Sequence, residues 1–86
     1  MLNIAAVVVT YRPDPVHLLT LLTALQAQVR WVCVVDNGSS REAWPQLPAD
    51  VTLIALPDNT GIAHALNCGV RQVSQYQPDY VLTMDQ

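Results

Sequence analysis

Four short apolar runs constrain the fold of this chain more than any other feature. They lie at residues 3–10 (NIAAVVVT), 31–36 (WVCVVD), 51–56 (VTLIAL) and 80–85 (YVLTMD). Three of them are continuous and rich in valine, whereas a strand with one face in water alternates apolar and polar residues. Continuous runs of this length are typical of parallel strands, so the chain is predicted to form a sheet that is covered on both faces.

The segment between the first two runs predicts a helix. In DPVHLLTLLTALQAQ, Asp14 can cap the helix N-terminus and Pro15 suits the first helical position. Four leucines then recur at helical spacing: Leu18, Leu21, Leu22 and Leu25. Threonine and glutamine occupy much of the opposite side, so the leucines are expected to face the core.

The segment NTGIAHALNCGVRQVSQY, residues 59–76, predicts a second helix. Its apolar residues repeat at intervals of four, four and three: Ile62, Leu66, Val70 and Val73. This spacing predicts one buried stripe. Gly69 weakens a helix locally, so we expect it to serve close packing of the helix on a strand. Pro78 and Asp79 then end the helix and lead into the last run.

The element order is therefore β-α-β-β-α-β, with a loop at residues 37–50 in which SREAWPQL forms at most a helical turn. Right-handed crossovers between parallel strands turn this order into an α/β fold, an open doubly wound parallel sheet. We expect the strand order 3-2-1-4. Residues 1–86 then form a single partial domain whose last strand is an apolar, unpaired edge.

The composition excludes several classes of protein. With 86 residues, of which 51% are hydrophobic, the chain has room for one small domain and is too apolar for a disordered segment. Its four arginines, absence of lysine and net charge of −3 give no basic surface for a nucleic acid. The first run follows no basic residue and is too short to span a bilayer, which favours a strand of a cytoplasmic protein. Cys33 and Cys68 are expected to be reduced, partly buried thiols.

Polar residues follow every predicted strand, where ligands of open parallel sheets bind. The four segments are TYRP, DNGSS, PDNTG and DQ, and three of them begin with or contain Asp or Asn. Neither the dinucleotide-binding motif GxGxxG nor the P-loop motif GxxxxGK[ST] is present. A phosphate bound at this edge is therefore expected to be held by a cation on a carboxylate.

Four motifs carry a resemblance to a known family. VVVTYRP, VVDNGSS, DNTGIAHALNCGV and VLTMDQ occur in this order at sensible separations. Together they resemble the N-terminal half of a family 2 glycosyltransferase with the Rossmann-like GT-A fold, and the rhamnosyltransferase-like branch is the most similar. The resemblance covers nearly the whole chain.

The resemblance implies one wall of a nucleotide-sugar pocket at the first two strands. The segment that lines the base and ribose is Thr10, Tyr11, Arg12 and Pro13. Asp36 would accept a hydrogen bond from the N3–H group of a pyrimidine, for which an ionised carboxylate is suited because it only accepts. The turn that aims Asp36 is Asn37, Gly38 and Ser39.

The resemblance also implies a second wall and a metal site. The second wall is Asn59, Gly61, Ile62 and Ala63, at a helix N-terminus that favours an anion. Asp85 matches the first acid of the family's DxD motif. It would hold Mg²⁺ or Mn²⁺ on the diphosphate, where the metal stabilises the leaving nucleotide.

For function, the resemblance implies transfer of a sugar from a dTDP- or UDP-sugar to a hydroxyl, usually with inversion. The donor dTDP-rhamnose and a role in cell-surface polysaccharide synthesis rest on the resemblance alone, as does a saccharide or lipid-linked acceptor. Such an enzyme would work in the cytoplasm or at the inner face of the membrane. The general base lies downstream in the family, so no catalytic residue is assigned here and these residues alone are expected to be inactive.

Other interpretations stay open at this point. Asp36 can simply cap a turn, Asp85 can be a surface residue, and Arg12 can be a solvated loop charge. His64 is expected to have no metal or catalytic role. A non-catalytic flavodoxin-like module of the receiver type is the alternative function, although its acidic pair after the first strand is missing and Asp58 lies behind a proline. The free edge strand also predicts a homodimer.

Overall fold

The computed structural model describes residues 2–39 and 46–85, which form two helices and four strands. In chain order the elements are β1 (Ile4–Thr10), α1 (Pro15–Gln26), β2 (Trp31–Asn37), β3 (Val51–Leu56), α2 (Ile62–Ser74) and β4 (Tyr80–Asp85). The predicted order is confirmed. Residues 40–45, which belong to the predicted loop and its helical turn, lie outside the described part.

The four strands form one parallel sheet in the order β3-β2-β1-β4, as predicted. The central strand β1 pairs with β2 on one side and β4 on the other, and its residues 5–10 are buried. Thr10 pairs with Asp36, and Val9 pairs with Asp85. This register brings the ends of β1, β2 and β4 to the same edge of the sheet.

Each helix covers one face of the sheet, and the face is named here by its helix. The α1 face contains the buried residues Ala6, Val8, Leu18, Leu22, Leu25, Val32 and Val34. The α2 face contains the buried residues Ala5, Val7, Val9, Cys33, Val35, Ala65 and Val73. Alternate residues of β1 and β2 therefore enter opposite cores, which explains why their apolar runs are continuous.

Helix α1 begins as the sequence predicts. The Oδ1 atom of Asp14 accepts hydrogen bonds from the backbone N–H groups of Val16 at 2.9 Å and His17 at 3.2 Å. Pro15 occupies the first helical turn, where its missing N–H group needs no partner. Three of the predicted leucines are buried and Leu21 is half-buried.

Helix α2 packs on the sheet with the predicted side, but the residues at the centre of the contact are smaller than those predicted. Its buried residues are Ala65, Gly69 and Val73, whereas Leu66 and Val70 are half-buried and Ile62 is 45% exposed. Of the predicted stripe, Val73 is buried and Leu66 and Val70 pack against the core of the α2 face, whereas Ile62 was wrongly placed there.

The reason is close approach of the helix to the sheet. A Cβ atom on Gly69 would overlap Cγ1 of Val7 and lie 3.0 Å from Cγ2 of Val35. The helix therefore approaches β1 and β2 at Gly69, and its larger side chains lie beside this contact. The expected role of Gly69 in close packing is confirmed.

In the described part of the chain, the sheet edge at β4 is apolar and pairs with no further strand, as predicted. The exposed fractions of Tyr80 and Leu82 are 63% and 42%. The strand contains no lysine and no proline, the residues that often protect an edge from pairing with another chain.

Candidate functional site

The ends of the strands place polar side chains in two groups, one on each face of the sheet. Alternation places Asp36 on the α1 face with Val32 and Val34, and Asn37 on the α2 face with Cys33 and Val35. Both side chains are buried, with exposed fractions of 1% for Asp36 and 4% for Asn37. Buried polar groups need hydrogen-bond partners, and the two groups find them in different loops.

The carboxylate of Asp36 accepts three hydrogen bonds from described residues. Its Oδ1 atom accepts from the hydroxyl of Thr10 at 2.9 Å and from the hydroxyl of Ser39 at 2.7 Å. Its Oδ2 atom accepts from the backbone N–H of Ser39 at 2.8 Å. Thr10 is fully buried, so the hydroxyl from β1 holds Asp36 from within the sheet.

Ser39 joins this group to the loop after β1. Its Oγ atom accepts a hydrogen bond from the backbone N–H of Arg12 at 2.6 Å. Arg12 has a φ of 49°, an unfavourable region for a residue with a Cβ atom. Its guanidinium lies over the ring of Tyr11, 5.1 Å from the ring centroid. The exposed side chains of Tyr11 and Arg12 thus form a surface beside the buried Asp36.

The second group joins the loops after β2 and β3. The Oδ1 atom of Asn37 accepts from the backbone N–H of Thr60 at 2.9 Å and from its hydroxyl at 3.2 Å. Gly38 has a φ of 92° and no Cβ atom, so the backbone of Asp58 and Asn59 can come close to it. A Cβ atom at this position would lie 2.6 Å from the backbone N of Asn59. The Oδ1 atom of Asn59 in turn accepts from the N–H of Gly61 at 3.0 Å.

Helix α2 begins beside this second group. Its N-cap residue is Gly61, which has no side chain to cap the first N–H groups, and among the described residues no other side chain caps them. The first-turn residues Ile62 and Ala63 are exposed. An uncapped helix N-terminus carries partial positive charge and favours a negatively charged group.

Asp85 lies at the rim of a cleft between β4 and α2. The cleft has a volume of about 170 Å³ and is lined by Ile62, Leu66, Thr83, Met84 and Asp85. Alternation places Asp85 on the α2 face together with Val81, opposite to the face that carries Asp36. The two acids follow strands on either side of β1, so their backbones are roughly 10 Å apart.

Comparison with known proteins identifies the family. The sequence model of the family described as glycosyl transferase family 2 matches residues 5–86. This chain belongs to glycosyl transferase family 2. A curated relative, the dTDP-rhamnosyl transferase RfbF of Shigella flexneri, is 39% identical over 87 aligned residues. The alignment covers 98% of this chain and 29% of the relative. No solved structure gives a significant match.

The family decides between the functional alternatives raised by the sequence. The receiver-type module loses its support because a glycosyltransferase family model covers nearly the whole chain. The rhamnosyltransferase-like resemblance of the four motifs is confirmed. No helix in residues 2–39 and 46–85 has both the length and the apolar character needed to cross a membrane.

Within this family 2 chain, the structure brings some predicted site residues together and separates others. Thr10 and Asp36 are in direct contact, and the predicted turn residue Ser39 binds both Asp36 and the backbone of Arg12. The second group brings together the predicted residues Asn37, Gly38, Asn59 and Gly61. Asp85 joins Ile62 in the cleft instead. Pro13 is half-buried and Ala63 lies exposed on the first turn of α2.

Thr60 belongs to the second group and was not among the predicted site residues. It donates two hydrogen bonds to Asn37 and so connects two loops that are 23 residues apart. A usable signal was present, since a buried asparagine at a strand end requires a donor and Thr60 is a hydroxyl residue in the next loop of the same edge.

Both cysteines and His64 lie outside the two groups. Burial raises the pKa of the Cys33 thiol to about 11, so this thiol stays protonated near neutral pH. The Sγ atom of Cys68 lies 3.5 Å from Nε2 of His64, one helical turn apart on α2.

In the described ranges, no three side chains of His, Cys, Asp or Glu come together as a group that could hold a metal.

Proposed function

We propose that this chain forms the nucleotide-sugar-binding part of a glycosyltransferase that moves a sugar from a dTDP- or UDP-sugar to a hydroxyl acceptor. The observation that supports this most is Asp36, a carboxylate fixed by three hydrogen bonds at the strand edge where ligands of such sheets bind. The relative named as a dTDP-rhamnosyl transferase supports dTDP-rhamnose as the donor.

In this proposal, Asp36 accepts a hydrogen bond from the N3–H group of uracil or thymine. The described residues leave one acceptor position on Oδ2, since a carboxylate has about four such positions and three are used. The exposed Tyr11 and Arg12 would lie against the base and ribose, with Thr10 and Pro13 beneath them. Asn37 and Gly38 would hold the adjoining loop in place.

The diphosphate would lie toward the N-terminus of α2 and Asp85. Uncapped N–H groups at Ile62 and Ala63 favour an anion there, and the loop with Asn59 and Gly61 shapes this wall. Asp85 offers one exposed carboxylate, which fits Mg²⁺ or Mn²⁺ because such an ion often takes only one or two carboxylates and fills its other positions with phosphate oxygens and water. When bound, the ion would stabilise negative charge on the leaving nucleotide.

Transfer of the sugar needs more than these residues supply. We assign no general base among them, and the chain spans 29% of the length of its dTDP-rhamnosyl transferase relative. We therefore propose that the 86 residues bind the donor without transferring it, and that an inverting reaction onto a saccharide or lipid-linked acceptor requires the acceptor-binding half. Cell-surface polysaccharide synthesis on the cytoplasmic side is the setting that fits such an enzyme.

We also propose that β4 can pair with β4 of a second copy. Antiparallel pairing with Leu82 opposite Leu82 places Tyr80 opposite Met84 of the second copy, so that the apolar residues of both strands share one face. Tyr80 and Leu82 are exposed in the single chain and would be covered by this contact.

A pair of variants tests the base assignment. Asp36→Ala should lose at least about tenfold in affinity for dTDP and UDP, because a hydrogen bond to a charged group is removed. Asp50→Ala, which removes an exposed acid outside the site, should bind as the unmodified chain does. Calorimetric titration measures both, and circular dichroism checks that each variant is folded. Equal binding by Asp36→Ala and Asp50→Ala would refute the assignment.

A further inference from the structure

The two oxygen atoms of Asp36 differ in how much hydrogen-bonding capacity they have left. A carboxylate oxygen has two lone pairs. Oδ1 accepts from two hydroxyls, those of Thr10 at 2.9 Å and Ser39 at 2.7 Å. Oδ2 accepts from the backbone N–H of Ser39 at 2.8 Å. Oδ1 is therefore saturated, whereas Oδ2 keeps one lone pair free of donors from the described residues.

The two hydroxyls are held in this arrangement by their surroundings. Thr10 is fully buried on β1, directly beside Asp36 in the register of the sheet, so its hydroxyl has no access to water. The Oγ atom of Ser39 accepts the N–H of Arg12 at 2.6 Å, which leaves its own hydrogen to point at Asp36. A lone pair of Oδ1 becomes free only if the buried bond from Thr10 or the part-buried bond from Ser39 breaks.

Nucleobases differ in how many donors they present to a carboxylate. Uracil and thymine present one N–H group between two carbonyl oxygens. Guanine presents two donors side by side, N1–H and N2–H, which match both oxygens of a carboxylate that is free to accept at each. A carboxylate with one open oxygen satisfies the single donor of uracil fully, but leaves the second donor of guanine without a partner when it is desolvated.

We propose that the hydroxyls of Thr10 and Ser39 determine base specificity by reducing Asp36 to a single-donor acceptor. With one acceptor position open, Asp36 binds the single N–H donor of uracil or thymine. It binds guanine more weakly, because the second donor of guanine finds no acceptor. The inference deepens the proposed function, because it requires the base to bind at Asp36. Thr10 and Ser39 act through Asp36 and are positioning residues, so their effect is expected in the ratio of affinities.

The test compares affinities for UDP and GDP in three variants of this chain. Thr10→Val keeps the shape of the side chain and removes the hydroxyl, which frees one lone pair on Oδ1. We expect the affinity for GDP relative to UDP to rise on the order of tenfold, the effect of one hydrogen bond to a charged group. Thr10→Ser keeps the hydroxyl and should keep the ratio of the unmodified chain. Thr20→Val removes an exposed hydroxyl that bonds its own helix and should also leave the ratio unchanged.

Ser39→Ala frees the second lone pair on Oδ1 from a different loop and provides an independent test if Thr10→Val does not fold. It should shift the ratio in the same direction. If the unmodified chain prefers UDP, and a folded Thr10→Val or Ser39→Ala variant keeps its GDP-to-UDP ratio, this inference is overturned and the base assignment stands. If the unmodified chain binds no nucleotide, or binds GDP as well as UDP, the proposed base pocket fails and the inference fails with it.

Discussion

Gly38 shows how single residues shape the candidate site. Its φ of 92° lies in the region that favours glycine, and its missing Cβ leaves room for the backbone of Asp58 and Asn59. The neighbouring Asn37 then reaches Thr60 across the same gap. One glycine therefore permits the contact between the loops after β2 and β3.

Gly38→Ala should destabilise the protein by roughly 2–4 kcal/mol, because the added Cβ meets backbone atoms at 2.6 Å in addition to the unfavourable φ. Gly61→Ala is the matched control, since Gly61 has a φ of 87° but nothing within 4 Å of an added Cβ. It should cost about 1–3 kcal/mol, the strain of the backbone alone, and less than Gly38→Ala. Urea denaturation of both variants measures the free energy of unfolding. Equal losses would show that close approach at Gly38 has no energetic weight.

Thr10, Asp36 and Ser39 show which parts of a site a sequence reveals. Asp36 and Thr10 were predicted to lie at one edge of the sheet because both stand at the ends of apolar runs, and their roles in base binding came from the family resemblance. Which oxygen of Asp36 accepts which hydroxyl depends on the register of β1 against β2 and on the shape of the turn. No local pattern records either of these. The bond from Thr60 to Asn37 differs, because the need of a buried asparagine for a donor was readable and was overlooked.

At the scale of elements, the start of α1 depends on a charged cap. Asp14 accepts from the first-turn N–H groups, and the hydrogen bond from the His17 amide is the main cause that lowers the pKa of Asp14 below its ordinary value of 3.8. The charged form is therefore favoured in the folded state. The contribution of the charged cap to stability is present above the ordinary pKa and is lost as the pH falls through the lowered pKa of the folded state.

We expect the stability of the chain to fall with Asp14 protonation below about pH 4. Asp14→Asn keeps an N-cap acceptor that does not titrate, so it should remove the part of this acid-dependent loss that belongs to the cap. Thermal unfolding of the two chains, followed by the helical circular dichroism signal, is compared between pH 2.5 and 7. This range spans about 1.5 units below and three units above the ordinary pKa. If both chains show the same pH dependence, the cap charge contributes nothing to stability.

The two helices also show why one was predicted better than the other. The buried side of α1 consists of leucines, so the positions of large apolar residues indicate the contact correctly. The buried side of α2 is built on Ala65 and Gly69, small residues that let the helix approach Val7 and Val35 closely. A search for large apolar residues selects the flanks of such a contact, which is why Ile62 was placed in the core although it is 45% exposed.

At the scale of the whole molecule, the open edge at β4 predicts self-association. Leu82→Lys should shift the chain to monomer, because the proposed pairing brings position 82 of the two copies face to face and like charges there repel. Val16→Lys is the matched control, since Val16 is an apolar residue on α1 with 71% of its surface exposed, away from the edge. Light scattering over a range of protein concentrations measures the mass. A strict monomer for the unmodified chain would rule out the pairing.

The topology of the sheet was predictable as a whole because parallel pairing and right-handed crossovers leave few arrangements for four strands. The separation of Asp36 and Asp85 onto opposite faces follows from alternation along β2 and β4. That separation gives the proposed base site and the proposed diphosphate site different sides of the same edge. Which face each acid takes depends on how its strand lies against the two helices, and the positions of the acids in the sequence do not reveal this.

The central claim is that these residues hold a pyrimidine nucleotide, and one calorimetric experiment tests it most directly. The unmodified chain is titrated with dTDP, UDP, GDP and ADP, each with and without Mn²⁺. The account predicts selective binding of dTDP and UDP, strengthened by Mn²⁺ through Asp85. Equal binding of all four nucleotides, preference for a purine, or no binding would contradict it.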